Sequence, residues 1–179
     1  TVRNCRLIAN HADNGGALYA YASAATVEQC VFESNSAKDE GGAACFAAGG
    51  SFTFTGNTLA ANSAGTHGGA VSVDDAAGTL AQSDFSNNSA GGQGGALAWR
   101  SSAASPALRI TGCAFGGNTG SNAAVARIGA PLPFEIGGSR FCLNTPSNLS
   151  GAYTDLGGNL FSQDCNSNGI CDADEISSG

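Results

Sequence analysis

The densest run of chemistry-bearing residues in the chain is Asp164-Cys165-Asn166-Ser167-Asn168-Gly169-Ile170-Cys171-Asp172-Ala173-Asp174-Glu175. Counted from Asp164, oxygen-bearing side chains occupy positions 1, 3, 5, 9 and 12 of a twelve-residue loop, with glycine at 6 and the Ile170 carbonyl at 7. Ca2+ is a hard cation that takes six to eight oxygens, several of them anionic, and this spacing supplies them from one turn of chain. Asp164, Asn166, Asn168, Ile170, Asp172 and Glu175 are therefore the expected metal ligands, and Ca2+ the expected cofactor. No amphipathic helix fits before Asp164 and only four residues follow Glu175, so the loop is not half of an EF-hand pair.

A second set of groups could do acid–base work. His11, Asp13, Asp39, Glu40 and His67 all precede Gly-Gly pairs, and stacking of successive repeats would gather them on one outer face, as glycan-cleaving chemistry requires. Against that, Asn14, Glu40, His67 and Gln93 share one column in which no acid recurs, so a solvated polar edge and no catalytic residue is the expectation. Asp74 and Asp75 form another pair, placed to mark the turn after Val71-Val73. Trp99 shares a column with Ala20, Phe46 and Val73, which makes it core and not a sugar platform. Tyr19 and Tyr21 fall in the opposite register and are expected at the surface. No nucleophile elbow, phosphate loop or His-rich metal spacing is present.

Bulk properties narrow the classes further. The 179 residues carry a net charge of −7 with only seven Lys and Arg, scattered, which argues against nucleic acid and against a polybasic membrane contact. No apolar run approaches the ~20 residues of a membrane-spanning helix. Seven Cys in an acidic, Lys-poor chain point to an oxidising, extracellular compartment. Cys142, Cys165 and Cys171 gather at one end, where either a Cys142–Cys165 or a Cys165–Cys171 bridge would brace the loop. Cys5, Cys30 and Cys113 suit an inner column as small hydrophobes, and Cys45 is expected to be exposed. Asn87 and Asn148 head glycosylation sequons. The chain opens inside a repeat, without a signal-like segment, and so reads as a piece of a longer precursor.

What must position these groups is a repeat. With Leu7, Phe32, Phe54, Phe85, Phe115 and Phe141 as origins, Asn follows three residues later in every copy: Asn10, Asn35, Asn57, Asn88, Asn118 and Asn144. The origins are 25, 22, 31, 30 and 26 residues apart. Two residues before them stand Cys5, Cys30, Phe52, Ser83, Cys113 and Ser139; five before stand Val2, Val27, Gly49, Leu80, Ile110 and Ile136, a column spoiled only by Gly49. Downstream, Gly-Gly-Ala recurs at residues 15–17, 41–43, 68–70 and 94–96, followed by alternating apolar positions.

Short alternating pieces punctuated by Gly, Asn and Ser describe strands, not helices. The expected fold is all-β: a right-handed parallel β-helix, or β-solenoid, of about six coils over residues 1–160, with the calcium loop in a tail at 161–179. Each coil is expected to hold three short strands, with Asn stacked as an amide ladder at one turn and Gly-Gly at a corner that excludes a Cβ. Length variation is placed between Asn and Gly-Gly, with residues 58–67 as the long example.

The alternation of Phe-x-x-Asn with Gly-Gly-Ala-apolar resembles the repeats of chlamydial polymorphic outer-membrane proteins and related right-handed parallel β-helix proteins of bacterial surfaces, over residues 1–153. The tail resembles the single calcium loops of dockerins and thrombospondin type 3 repeats. These resemblances imply a secreted or bacterial cell-surface module with a structural or adhesive role. Separately, the chain begins in a strand with no capping helix, and that unpaired edge leads to the expectation of further coils or of end-to-end stacking into a fibre, with a glycan or surface ligand as the other expected partner. The alternative is a pectinase-like lyase or hydrolase.

Overall fold

In the computed structural model, which describes residues 1–102, 107–129 and 133–162, every pass of the chain contributes one strand to each of up to four parallel sheets. The first sheet holds Val2–Arg3, Ala24–Glu28, Ser51–Thr55, Ala77–Ala81, Leu108–Thr111, Phe134–Gly137 and Tyr153–Asp155. The second holds Arg6–Ile8, Val31–Glu33, Thr58–Ala60, Asp84–Ser86, Ala114–Gly116, Arg140–Cys142 and Leu160–Ser162. A third, of two-residue strands, stacks His11–Ala12, Ser36–Ala37, Ser63–Ala64 and Ser89–Ala90. The fourth comprises Leu18–Tyr21, Ala44–Ala47, Val71–Asp74, Leu97–Arg100, Val125–Ile128 and Leu149–Ser150. There is no helix among the described residues. The chain is a parallel β-solenoid, with the additional short sheet lying between the Asn turn and the Gly-Gly corner.

The register corrects the third repeat. Leu59, not Phe54, pairs with Phe32 on one side and Phe85 on the other. The true origins are Leu7, Phe32, Leu59, Phe85, Phe115, Phe141 and Phe161, spaced 25, 27, 26, 30, 26 and 20 residues apart. Phe54 lies in the first sheet between Val27 and Leu80, and so fills the aliphatic column that Gly49 had seemed to spoil. Asn57 accordingly leaves the Asn ladder and joins Cys30, Ser83, Cys113 and Ser139 at the first corner, while Asn62 takes its place. The segment 58–67 is no insertion, because Thr58–Ala60 and Ser63–Ala64 are strands of the second and third sheets.

Two ladders turn the corners. At the second corner the Oδ1 of each Asn accepts both the backbone N–H and the Nδ2–H of the Asn one coil earlier, at 2.9–3.0 Å, from Asn10 through Asn35, Asn62, Asn88 and Asn118 to Asn144. The second Nδ2 hydrogen goes to a strand carbonyl, as in Asn62 to Phe32 and Asn88 to Leu59. The four inner rungs, Asn35, Asn62, Asn88 and Asn118, are almost wholly buried yet satisfied, which is what makes a polar column tolerable inside the molecule. The left-handed backbone falls on the residue before the ladder Asn: Ala9, Ser34, Ala61, Asn87, Gly117 and Leu143 all have φ between 52° and 64°. Asn is thus selected for its amide, not for tolerance of positive φ.

Between the sheets the interior is a set of stacked like residues. Phe85, Phe115, Phe141 and Phe161 lie ring on ring at 4.8, 4.9 and 5.1 Å, close to the ~4.8 Å spacing of adjacent strands. Burial of each such ring is worth roughly 1.5–3 kcal/mol. Trp99 is fully buried and meets Phe134 edge-on, in the column shared with Phe46 and Val73. At the Gly-Gly corner the second glycine leaves no space: a Cβ on Gly42 would lie 2.1 Å from the Gly69 carbonyl oxygen and 2.4 Å from that of Ser63.

Candidate functional site

The fourth sheet alternates strictly, with Leu18, Ala20 and their equivalents turned inward and a second set turned outward. The outward rows are Tyr19, Cys45, Ser72, Ala98 and Tyr21, Ala47, Asp74, Arg100, each in register from coil to coil. Beside them runs the turn column Asn14, Glu40, His67, Gln93, stitched by a main-chain parallel β-bridge between Glu40 and His67 and by hydrogen bonds from Glu40 N to Asn14 Oδ1 (3.3 Å) and from Gln93 N to His67 Nδ1 (3.1 Å). Large side chains at the turn and small ones on the sheet leave a groove of about 470 Å³. It is lined by Tyr19, Asp39, Glu40, Cys45, His67, Asp74 and Arg100, among others.

Arg100 dominates its electrostatics. Its Nε and Nη2 donate to the two Asp74 oxygens at 2.9 and 3.0 Å, and Nη2 also reaches both oxygens of Glu40 at 2.9 and 3.1 Å. Ser72 Oγ donates to Glu40 Oε2 at 3.2 Å. One guanidinium thereby ties together three coils, and hydrogen bonding to Asp74 raises its already high pKa further. Such a charge-assisted fork is stronger than a neutral hydrogen bond, and it commits both carboxylates to the Arg100 guanidinium.

Of the groups singled out in the sequence, the structure brings Asp39, Glu40, His67 and Asp74 to this groove. His11 lies apart on the third sheet, its Nδ1 2.8 Å from Ser36 Oγ. Asp13 meets Asp39 through the backbone, its carbonyl accepting Asp39 N at 2.8 Å. Asp75 turns the chain with φ at 51° and binds Ser102 N and Oγ. Arg100 was missed, although its signal was available: Asp74 and Arg100 follow Val73 and Trp99, which share a column, so opposite charges one coil apart were due to pair. The same logic places Arg3 on Glu28 at 2.8 Å and Arg109 on Glu135 at 3.6 Å. The calcium-loop positions Asp164, Asn166, Asn168, Ile170, Asp172 and Glu175 lie outside the described residues.

The cysteines divide as follows. Cys30 and Cys113 are buried free thiols of the first-corner column, and Cys5, at the first rung, is exposed. Cys142 is disulfide-bonded. Cys45 is not exposed as its register suggested: it is only 3% accessible, because the turn column and the Arg100 clasp close over the outward row. Burial first, then Glu40 and Asp74, push its thiol up to about 12, and burial pushes Cys113 up to about 11. A thiol reagent at pH 8, with the modified sites mapped by mass spectrometry, is expected to label Cys5 quickly and Cys30, Cys45 and Cys113 only on unfolding. Because the folded state holds the Cys45 proton beyond the ordinary thiol value of 9.0, its contribution to stability is intact below that pH. That contribution is lost as pH rises towards about 12.

Residues 82–98, which span the second-sheet strand Asp84–Ser86, the Asn88 rung and the Gly94-Gly95 corner, match the model of the Chlamydia polymorphic membrane protein repeat. No curated protein and no solved structure matched the chain. The matched stretch is one passage from the Phe column through the amide ladder to the Gly-Gly corner, and the rest of the solenoid repeats that passage with other side chains.

Proposed function

We propose that this chain is a non-enzymatic, secreted or cell-surface β-helix module with a structural or adhesive role. The observation that carries the reading is the division of labour between positions: inward columns are held to apolar residues and corners to Asn, small residues and Gly, while outward positions change in size and charge from coil to coil. A solenoid of this kind is a rigid rod whose faces can be altered without touching what holds it together. The repeat match to a Chlamydia membrane-protein family supports placement at a surface. In the groove, the engagement of Glu40 and Asp74 by Arg100 supports a binding or structural face over an acid–base pair.

Two finer parts of this reading have separate tests. The first is Ca2+ at Asp164, Asn166, Asn168, Ile170, Asp172 and Glu175, which would brace the C-terminal end. The melting temperature is expected to fall on chelation and to recover with added Ca2+, since a ligand bound only by the folded state stabilises it by mass action. An unchanged melting curve rejects calcium. The second is stacking: Val2–Arg3, Arg6–Ile8, His11–Ala12 and Leu18–Tyr21 each pair on one side only among the described residues. Such edges invite further strands, whether coils of a longer chain or a second copy. End-to-end filaments by electron microscopy support the second copy, and a monodisperse monomer at high concentration excludes it.

A further inference from the structure

We infer that the groove over the fourth sheet holds a non-acidic oligosaccharide, with its sugar rings lying against Tyr19 and Tyr21. The inference rests on the adhesive reading and gives it a ligand class. At one end of the groove Tyr19 lines it and Tyr21 stands beside Tyr19 on the same strand, the two 50% and 64% exposed with ring centroids 6.2 Å apart. Exposed aromatic rings offer an apolar face beside a polar tip, which is what a sugar ring, apolar on its C–H faces and hydroxylated at its rim, can use.

The rest of the groove carries more anionic acceptors than cationic donors. Asp39, Glu40 and Asp74 bring three carboxylates against the single guanidinium of Arg100, while His67, whose Nδ1 accepts the Gln93 N–H, keeps one ring N–H at Nε2. A ligand rich in hydroxyl or amine hydrogens suits that surplus of acceptors, and a polyanionic glycan is repelled by it. On the floor, Cys45 is only 3% accessible and closes the groove below the ligand without contacting it. The outward row runs along the solenoid axis from Tyr19 over Cys45 to Ser72, where the Arg100–Glu40 clasp crosses it. The tyrosines share one strand and so stand side by side across the axis at the groove's first coil, and the ligand is held between them and the clasp.

The test is calorimetric titration of the full chain with a cello-oligosaccharide, a chitosan oligosaccharide and an oligogalacturonide, followed by chromatography of the sugar. Binding of the cello- or chitosan oligosaccharide is expected, the first arm reporting hydroxyl recognition and the second an added amine contact, with the galacturonide weakest. Tyr19→Ala is expected to weaken binding by about tenfold, the scale of one lost stacking contact, and Tyr19→Phe to keep it. Melting curves of both variants, on an exposed side chain, should match the parent. No binding of either non-acidic sugar at millimolar concentration, preference for the galacturonide, or indifference to Tyr19→Ala would overturn the inference. Attachment of the chain to glycan-stripped cells would then leave the adhesive reading standing. Cleavage of a bound oligosaccharide would keep the site and overturn the non-enzymatic reading instead.

Discussion

Gly42→Ala is expected to prevent the second and third coils from stacking, with a loss of at least about 4 kcal/mol, a large share of a domain's ~5–15 kcal/mol. The added methyl would sit 2.1 Å from one main-chain oxygen and 2.4 Å from another, and neither can swing aside as a side-chain end could. Each of those carbonyls belongs to the next coil, so relief would require the coils to part. Gly16, Gly69 and Gly95 are equally hemmed in by backbone of neighbouring coils. Gly116→Ala is the control: nothing lies within 4 Å of its would-be Cβ and its φ is not positive, so a change within about 0.5 kcal/mol is expected. Chemical denaturation of the two variants measures the contrast. Equal stability would mean that the Gly-Gly corner is not a close-packed seam.

Asn62→Ala is expected to cost roughly 3–5 kcal/mol, because each buried group left without a partner costs roughly 1–3 kcal/mol. Loss of Oδ1 strands the backbone N–H and one Nδ2 hydrogen of Asn35, and loss of Nδ2 removes the donor to the Phe32 carbonyl. Asn62→Asp should be no milder, since it offers no donor to Phe32 and places a carboxylate where the side chain has no solvent access. Asn57→Ser, only five residues away, should cost about 1 kcal/mol or less. Position 57 belongs to the first-corner column, where Ser83 and Ser139 already accept the neighbouring coil's N–H and donate to the carbonyl two residues back. Urea unfolding of the three variants distinguishes the two columns. Comparable losses at 57 and 62 would contradict the register.

That pair of asparagines also shows what the sequence could and could not disclose. The fold class was legible because it depends on repetition: apolar alternation, Asn after the origin, Gly-Gly-Ala downstream. The register of one coil was not, because Phe54-Thr55-Gly56-Asn57 imitates the aromatic-x-x-Asn unit while belonging to the first sheet and its corner. Even spacing would have decided it, since Leu59 restores a period near 26 where Phe54 breaks it. Leu59 fills the column without a ring, as Leu7 does, because the column requires only apolar volume.

The candidate groove was half legible. A polar column of Asn14, Glu40, His67 and Gln93 followed from the repeat, but the closure over Cys45 did not. Outward register on a strand ordinarily means exposure, and here Glu40 from the turn column meets Arg100 from the neighbouring outward row across it. Periodicity records which face a residue occupies. It does not record how far a long side chain on an adjoining turn reaches.

The direction of the hydrogen bonds in the solenoid has a mechanical consequence. Backbone bonds between coils run along the axis, as in Asn10 O to Ser36 N, Asn35 O to Ser63 N and Asn62 O to Ser89 N, so tension applied end to end loads them a coil at a time and not all together. Peeling one coil of some 26 residues would release about 90 Å of chain before the next is strained. Under load such a rod yields by graded lengthening, dissipating work at each step while the coils still stacked keep their shape.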